Sequence, residues 1–173
     1  MTMLEAFPRI ADILERTPGV LGELVALATQ DELDWQPAPD RWSVSMVFAH
    51  LADVEVRGFM SRFTAISEQD HPLLPSYDQL ALFRPGTQFD GLAELQRFSE
   101  QRVKTLKWLE PLPASVAERR GRHEDLGDVT FGELLNEFAF HDLGHIRQVI
   151  ELYRSRAFYP RMGVFQSYYK INP

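Results

Sequence analysis

The segment Thr130-Phe131-Gly132-Glu133-Leu134-Leu135-Asn136-Glu137-Phe138-Ala139-Phe140-His141-Asp142-Leu143-Gly144-His145-Ile146-Arg147-Gln148-Val149 carries a helix start and a long helical period. Thr130 and Glu133 have the spacing of a capping box, in which each side chain satisfies a free N–H of the first turn. Leu134, Leu135, Phe138, Ile146 and Val149 then recur at intervals of three, four or a multiple, the mark of one buried helical face. His141 and His145 fall inside that stripe, about 40° apart around the helix. Both rings are therefore expected to point inward from a helix running over residues 131–154.

Working outward, Pro and Gly divide the rest of the chain into helical stretches. Residues 4–16 are amphipathic, and Thr17-Pro18 is expected to break or kink the helix, with Thr as N-cap and Pro in the first helical position of a second piece reaching residue 29. Pro37 and Pro39 mark a loop. Ser43 caps a helix over residues 44–66. Residues 70–88, with Pro72, Pro75, Pro85 and Gly86, read as a long irregular connection. Asp90 caps a helix to residue 109, with Leu92, Leu95, Phe98, Leu106 and Leu109 on one face, and Pro111 and Pro113 end it. The only strand-like pieces are short, near residues 118–123. The aromatic tail beyond Pro160 (Phe165, Tyr168, Tyr169) is expected to pack on the helices. Four amphipathic helices with one crossover connection predict an all-α fold, a four-helix bundle forming a single domain over residues 1–173.

The chain has 173 residues, a net charge of −7 and no cysteine. Cysteine nucleophiles, disulfides and thiolate-held metals are thereby excluded. The acidic balance speaks against a nucleic-acid partner. Arg119-Arg120-Gly121-Arg122 is a short basic run flanked by acids. No stretch reaches the roughly 20 apolar residues of a membrane span. The first residues lack a signal-peptide pattern, so a cytoplasmic location is expected.

His50 is the third histidine of interest. Val47, Leu51, Val54 and Gly58 share its face, so it too points inward. Placing its helix beside the histidine pair would bring three imidazoles together. Three neutral nitrogens with open positions is the pattern of a catalytic metal site; the alternative is core or surface histidines with ordinary hydrogen bonds. Asp53, at i+3 from His50, is a candidate acceptor for its free ring N–H, and Glu55 a weaker one. Asp142 makes His-Asp-x-x-His, near the His-Glu-x-x-His of zinc proteases, but no downstream histidine follows; a solvated acid, or one supporting a ligand, is the better reading. Arg102 interrupts an apolar run and is read as an anchor for a substrate carboxylate, a partner to a core acid, or a snorkelling surface arginine. Gly144 leaves room beside the histidines or allows a close helix contact. Trp42 lines a pocket or joins the core. Glu68-Gln69-Asp70-His71 resembles half a di-iron motif without its second copy. His123 falls in a polar loop.

Trp42-Ser43-Val44, then His50-Leu51-Ala52-Asp53-Val54-Glu55, then Thr130-Phe131 leading into His141-Asp142-Leu143-Gly144-His145-Ile146-Arg147-Gln148 resemble, in order and spacing, the DinB-like superfamily. The resemblance implies a four-helix bundle holding a divalent metal, often zinc or nickel, on three histidines, here His50, His141 and His145. Relatives include thiol-dependent S-transferases and a thiol-dependent maleylpyruvate isomerase, so it also implies a small-molecule substrate and a low-molecular-weight thiol as cofactor. A metal-dependent hydrolase and a non-catalytic, metal- or ligand-binding stress-response protein are the alternatives. Family members often pair their bundles, and the aromatic tail would serve a homodimer. Catalytic candidates beyond the metal ligands are Asp142, Asp53 and Arg102.

Overall fold

Capping chemistry sets most helix boundaries in the computed structural model, which describes residues 1–84 and 86–173; Pro85, part of the irregular connection, lies outside them. A short α1 (Met3–Ala6) begins on a Thr2 capping box and leads into α2 (Pro8–Leu24), followed by the one-turn α3 (Gln30–Leu33). Ser43 accepts from the Met46 N–H and starts α4 (Val44–Val54), which passes through a π-helical turn (Glu55–Met60) into α5 (Ser61–Glu68). Asp90 caps α6 (Gly91–Leu109), and the Thr130–Glu133 capping box opens α7 (Phe131–Ala157). The two-residue β1 (Leu73–Leu74) runs parallel to β2 (Arg120–His123), which pairs antiparallel with β3 (Gly127–Thr130). This small sheet ends at Thr130, the N-cap of α7. The helices α2, α4 with α5, α6 and α7 form the bundle: α4 packs on α6 and α7, and α2 on α6 and α7. No helix of the described residues is long and apolar enough to cross a membrane.

Several expectations are corrected. Helix α2 runs unbroken through Thr17 and Pro18. Thr17 is no cap; its hydroxyl donates back to the Ile13 carbonyl at 2.8 Å. Pro18 has no N–H for the Leu14 carbonyl four residues earlier. That carbonyl instead accepts from Arg102 Nη1 at 2.6 Å, so a side chain of α6 replaces the missing helical bond. On α6 the buried face is Leu95, Phe98, Arg102, Thr105 and Leu109, with Leu92 exposed. His123 lies on β2, not in a loop. Arg119 of the basic run donates to the Ile66 and Gln69 carbonyls at 2.6 Å each, closing the end of α5. The tail forms two 3₁₀ turns, Tyr159–Arg161 and Gly163–Tyr168, and leaves Phe165 58% and Tyr168 79% exposed. It is held by polar bonds, Gln166 to the Tyr159 carbonyl and the Asn172 N–H to Glu151, rather than by its aromatic rings.

Within the π-helical turn Gly58 lies tight against Val54. A Cβ at position 58 would lie 2.6 Å from Val54 Cγ2, on a β-branched side chain with little freedom to turn away inside a helix. Gly58→Ala is expected to cost about 1–3 kcal/mol, read as a lowered melting temperature with unchanged helical circular dichroism at low temperature.

The core consists of two apolar clusters. One holds Leu14, Phe59, Phe63, Phe131 and Phe138; the other Leu21, Phe48, Leu51, Phe98 and Val149. Between them lies Arg102, 1% exposed, its guanidinium 4.8 Å from the Phe98 ring of one cluster and 4.6 Å from the Phe138 ring of the other.

Candidate metal centre

Two helices supply the three histidines. His50 is the seventh residue of α4, nearly two turns in; His141 and His145 occupy successive turns of α7. Their Nε2 atoms converge: His141 Nε2 is 3.2 Å from His50 Nε2 and 3.2 Å from His145 Nε2, and the three donor atoms all lie within 4.8 Å of one another. The surroundings are aromatic. Trp42 stacks on His145 with rings 4° from parallel, Phe59 meets His141 edge-on, and Tyr77 approaches His50. Desolvation pushes His50 down to about 3 and His141 to about 2, with the neighbouring rings adding to the shift. Desolvation also lowers His145, against the Gln148 bond and the Asp142 charge. All three rings are thus held neutral, which is the metal-ligating form.

The donor set fits a metal ion. His145 Nδ1 lies 2.8 Å from Gln148 Oε1, an acceptor, so the ring proton sits on Nδ1 and the Nε2 lone pair is free. Three facing Nε2 atoms cannot satisfy one another, because a proton on His141 Nε2 serves one neighbour only. Tetrahedral ligands at about 2.0–2.1 Å from one ion stand about 3.3 Å apart, close to the observed spacings. The Nδ1 atoms of His50 and His141 are buried and have no partner among the described residues.

The carboxylates expected near the histidines are engaged elsewhere. Asp142 is fully buried and is not a solvated acid: its oxygens accept from Arg102 Nη1 at 2.6 Å and Nη2 at 3.0 Å. The α7 face carrying Leu135, Phe138, Asp142 and Val149 packs into the bundle, next to the face that carries the histidines. Glu55 takes the other side of the same guanidinium at 3.0 Å through both oxygens. Burial pushes the Glu55 carboxyl up, an effect that Arg102 offsets only in part. With the Leu14 carbonyl, all five N–H groups of Arg102 are used, which makes it a partner to two core acids and leaves no donor for a substrate. One side chain thus joins α2, the π-helical turn, α6 and α7. Asp53 does not meet His50; it accepts from the Tyr77 hydroxyl at 2.7 Å and pairs with Arg57 at 3.3 Å. Among the described residues Glu68 and His71 form no metal-ligating group with other side chains, and His71 meets Asp128.

His141 and His145 open onto a cavity of about 960 Å³, lined also by Trp42, Glu137, Phe140 and Gly144. A Cβ on Gly144 would meet nothing within 4 Å, so this glycine widens the cavity and makes no helix contact. Gln148, Tyr77, Phe59 and Glu137 were not singled out in the sequence. Gln148 was legible in principle, since i+3 places it over His145 on one helix. Tyr77 comes from the irregular connection and carries no local signal.

A bundle with an inward histidine triad beside an open cavity is the architecture of a known class of helical proteins. A family model, that of the DinB superfamily, matches residues 13–149, and the chain belongs to that superfamily. It is similar to YfiT of Bacillus subtilis, a protein provisionally named a metal-dependent hydrolase, with 26% identity over 145 residues, 82% of this chain and 81% of that one. A protein of Oceanobacillus iheyensis with the same provisional name is 23% identical over 143 residues, 80% and 81% of the two chains. The solved structure of Bacillus subtilis YfiT, described as a four-helix bundle of unusual topology, superposes with a TM-score of 0.77 at 24% identity, covering 86% of each chain.

Proposed function

We propose that His50, His141 and His145 hold one divalent metal ion through Nε2 and that the protein is a metal-dependent hydrolase of small molecules. The observation that carries this reading is the convergence of three neutral Nε2 atoms at the edge of a cavity. The names of the similar proteins support it. Zinc or nickel suits three imidazoles, and an ion bound there would supply a Lewis acid that lowers the pKa of a water or thiol in an open position. Trp42 and Phe59 orient the rings of His145 and His141, and Gln148 fixes the tautomer of His145. Asp142 and Glu55 are locked on Arg102; of the two acidic side chains that line the cavity among the described residues, Glu151 is paired with Arg154, which leaves Glu137. It lies one turn before His141, and desolvation raises its pKa, partly offset by Arg62. We assign it the role of general base.

The loss of the other acids to Arg102 favours a second reading, thiol-dependent group transfer. A thiol deprotonated on binding needs no carboxylate base, and the chain has no cysteine of its own. The test is turnover of activated esters and amides by metal-loaded protein, with and without a low-molecular-weight thiol. Thiol-independent turnover that falls about 100-fold or more in Glu137→Gln, the usual range for a lost general base, supports hydrolysis. Turnover only with thiol, insensitive to Glu137→Gln, supports transfer. A homodimer through the exposed Phe165, Tyr168 and Tyr169 is part of the proposal, read by light scattering.

A further inference from the structure

Cations reach the cavity from separate segments: Arg41 from the loop before α4, Arg147 from α7 and Lys170 from the tail. Arg154 also lines it, but Glu151 holds that guanidinium at 2.5 Å. Arg41, Arg147 and Lys170 form no ion pair among the described residues. Among the described residues the acidic side chains of the lining are Glu151, which is spent on Arg154, and Glu137. The chain as a whole carries −7, so the cavity reverses the sign of the protein. Gathering like charges around a concave surface raises their mutual repulsion, and an anionic guest relieves it.

We propose that this cavity takes a small molecule bearing a carboxylate or phosphate group, which Arg41, Arg147 and Lys170 hold while the rest of the molecule extends toward His141 and His145. Guanidinium groups match the paired oxygens of both anions. Arg147 lies two residues beyond His145, and Gly144 places no side chain on the cavity wall next to the histidines. Arg41 precedes Trp42, so the arginine and the ring stacked on His145 are delivered by one loop. The assignment rests on the preceding reading only for which end of the guest reacts.

The test uses phenylphosphonate as probe and the neutral benzyl alcohol as its comparison, each titrated by calorimetry into the protein as purified and again after chelation. Phenylphosphonate is expected to bind in both states, at least about tenfold tighter than benzyl alcohol. Arg41→Gln and Arg147→Gln are each expected to weaken it about tenfold, the usual scale of a charge-assisted bond, with Arg147→Lys intermediate. Arg16→Gln, on an exposed arginine of α2 paired with Asp12, should change nothing. All three side chains are exposed, so melting temperatures should stay put and certify the fold. Equal binding of the two probes, unchanged affinity in both Gln variants, or phosphonate binding that vanishes on chelation would each overturn the proposal, the last by assigning the anion to the ion alone. Because the chelated protein is tested directly, these failures leave the three-histidine reading standing, and loss of metal uptake in a histidine variant leaves the anion site standing.

Discussion

Arg102→Ala is expected to destabilise the protein by about 3–5 kcal/mol, because it leaves two buried carboxylates without their cation. It also frees the Leu14 carbonyl that Pro18 cannot satisfy. For a chain of this size the loss corresponds to a fall in melting temperature on the order of 10 °C. The deficit depends on pH in a defined direction. Burial already raises the Glu55 carboxyl, and without Arg102 nothing of comparable size opposes it, so this group holds its proton more tightly in the folded chain than in the unfolded one and stability falls as pH rises through that window. The variant should therefore be weakest relative to wild type near pH 7 and closest to it near about pH 4. Combining Arg102→Met with Glu55→Gln and Asp142→Asn removes the charges together and should recover much of the loss, as neutral replacements of buried ion pairs often do. Denaturant melts of the variants at both pH values check the prediction. If the full deficit persists at pH 4 and in the triple variant, packing around Arg102 is responsible and not its charge.

The second large effect is at the histidines. His50→Ala and His141→Ala are each expected to lose bound divalent metal, measured as metal per chain after purification without a polyhistidine tag, while the helical spectrum is retained. Acid should destabilise the metal-free wild type more than either variant. Unfolded imidazoles take protons near pH 6.5, whereas folded His50 and His141 stay neutral down to about 3 and 2. The folded state thus binds fewer protons, and stability is lost as pH falls below 6.5. Between pH 6.5 and 5 the cost is about 2 kcal/mol for each of the two rings. Each single variant should recover about half of the wild-type loss. The same depression moves proton competition for the metal ligands well below the 6.5 of a free imidazole, so metal should remain bound at pH 5.5. Release near pH 6.5, or a wild type no more acid-sensitive than His50→Ala, would contradict the neutral triad.

The bundle was legible because its signals are local. Thr130 and Glu133, Ser43, and Asp90 announce helix starts within four residues, and the apolar spacing after each names the buried face. The histidine triad was legible for the same reason: i, i+4 spacing and membership of an apolar stripe place His141 and His145 together, and His50 points inward on its own helix. Other features have no such signature. Thr17-Pro18 reads locally as a break, yet α2 continues because Arg102, more than eighty residues away, accepts the role of the missing N–H. Asp142 and Arg102 look like site residues or surface charges from their neighbours in sequence, but both are claimed by a charged layer between two apolar clusters.

By itself the sequence determined the helical class, the order of the bundle helices, the absence of a protein thiol and the three imidazoles that share inward faces, since each follows from residue type or from spacing within a turn or two. The tertiary structure alone decided which acids are free. Four helices had to be packed before Arg102 could meet Glu55, Asp142 and the Leu14 carbonyl at once, before Asp53 could turn to Tyr77, and before Arg41, Arg147 and Lys170 could face one cavity. Ion pairs and cavity linings join residues far apart in the chain, and no local periodicity encodes which of them will meet.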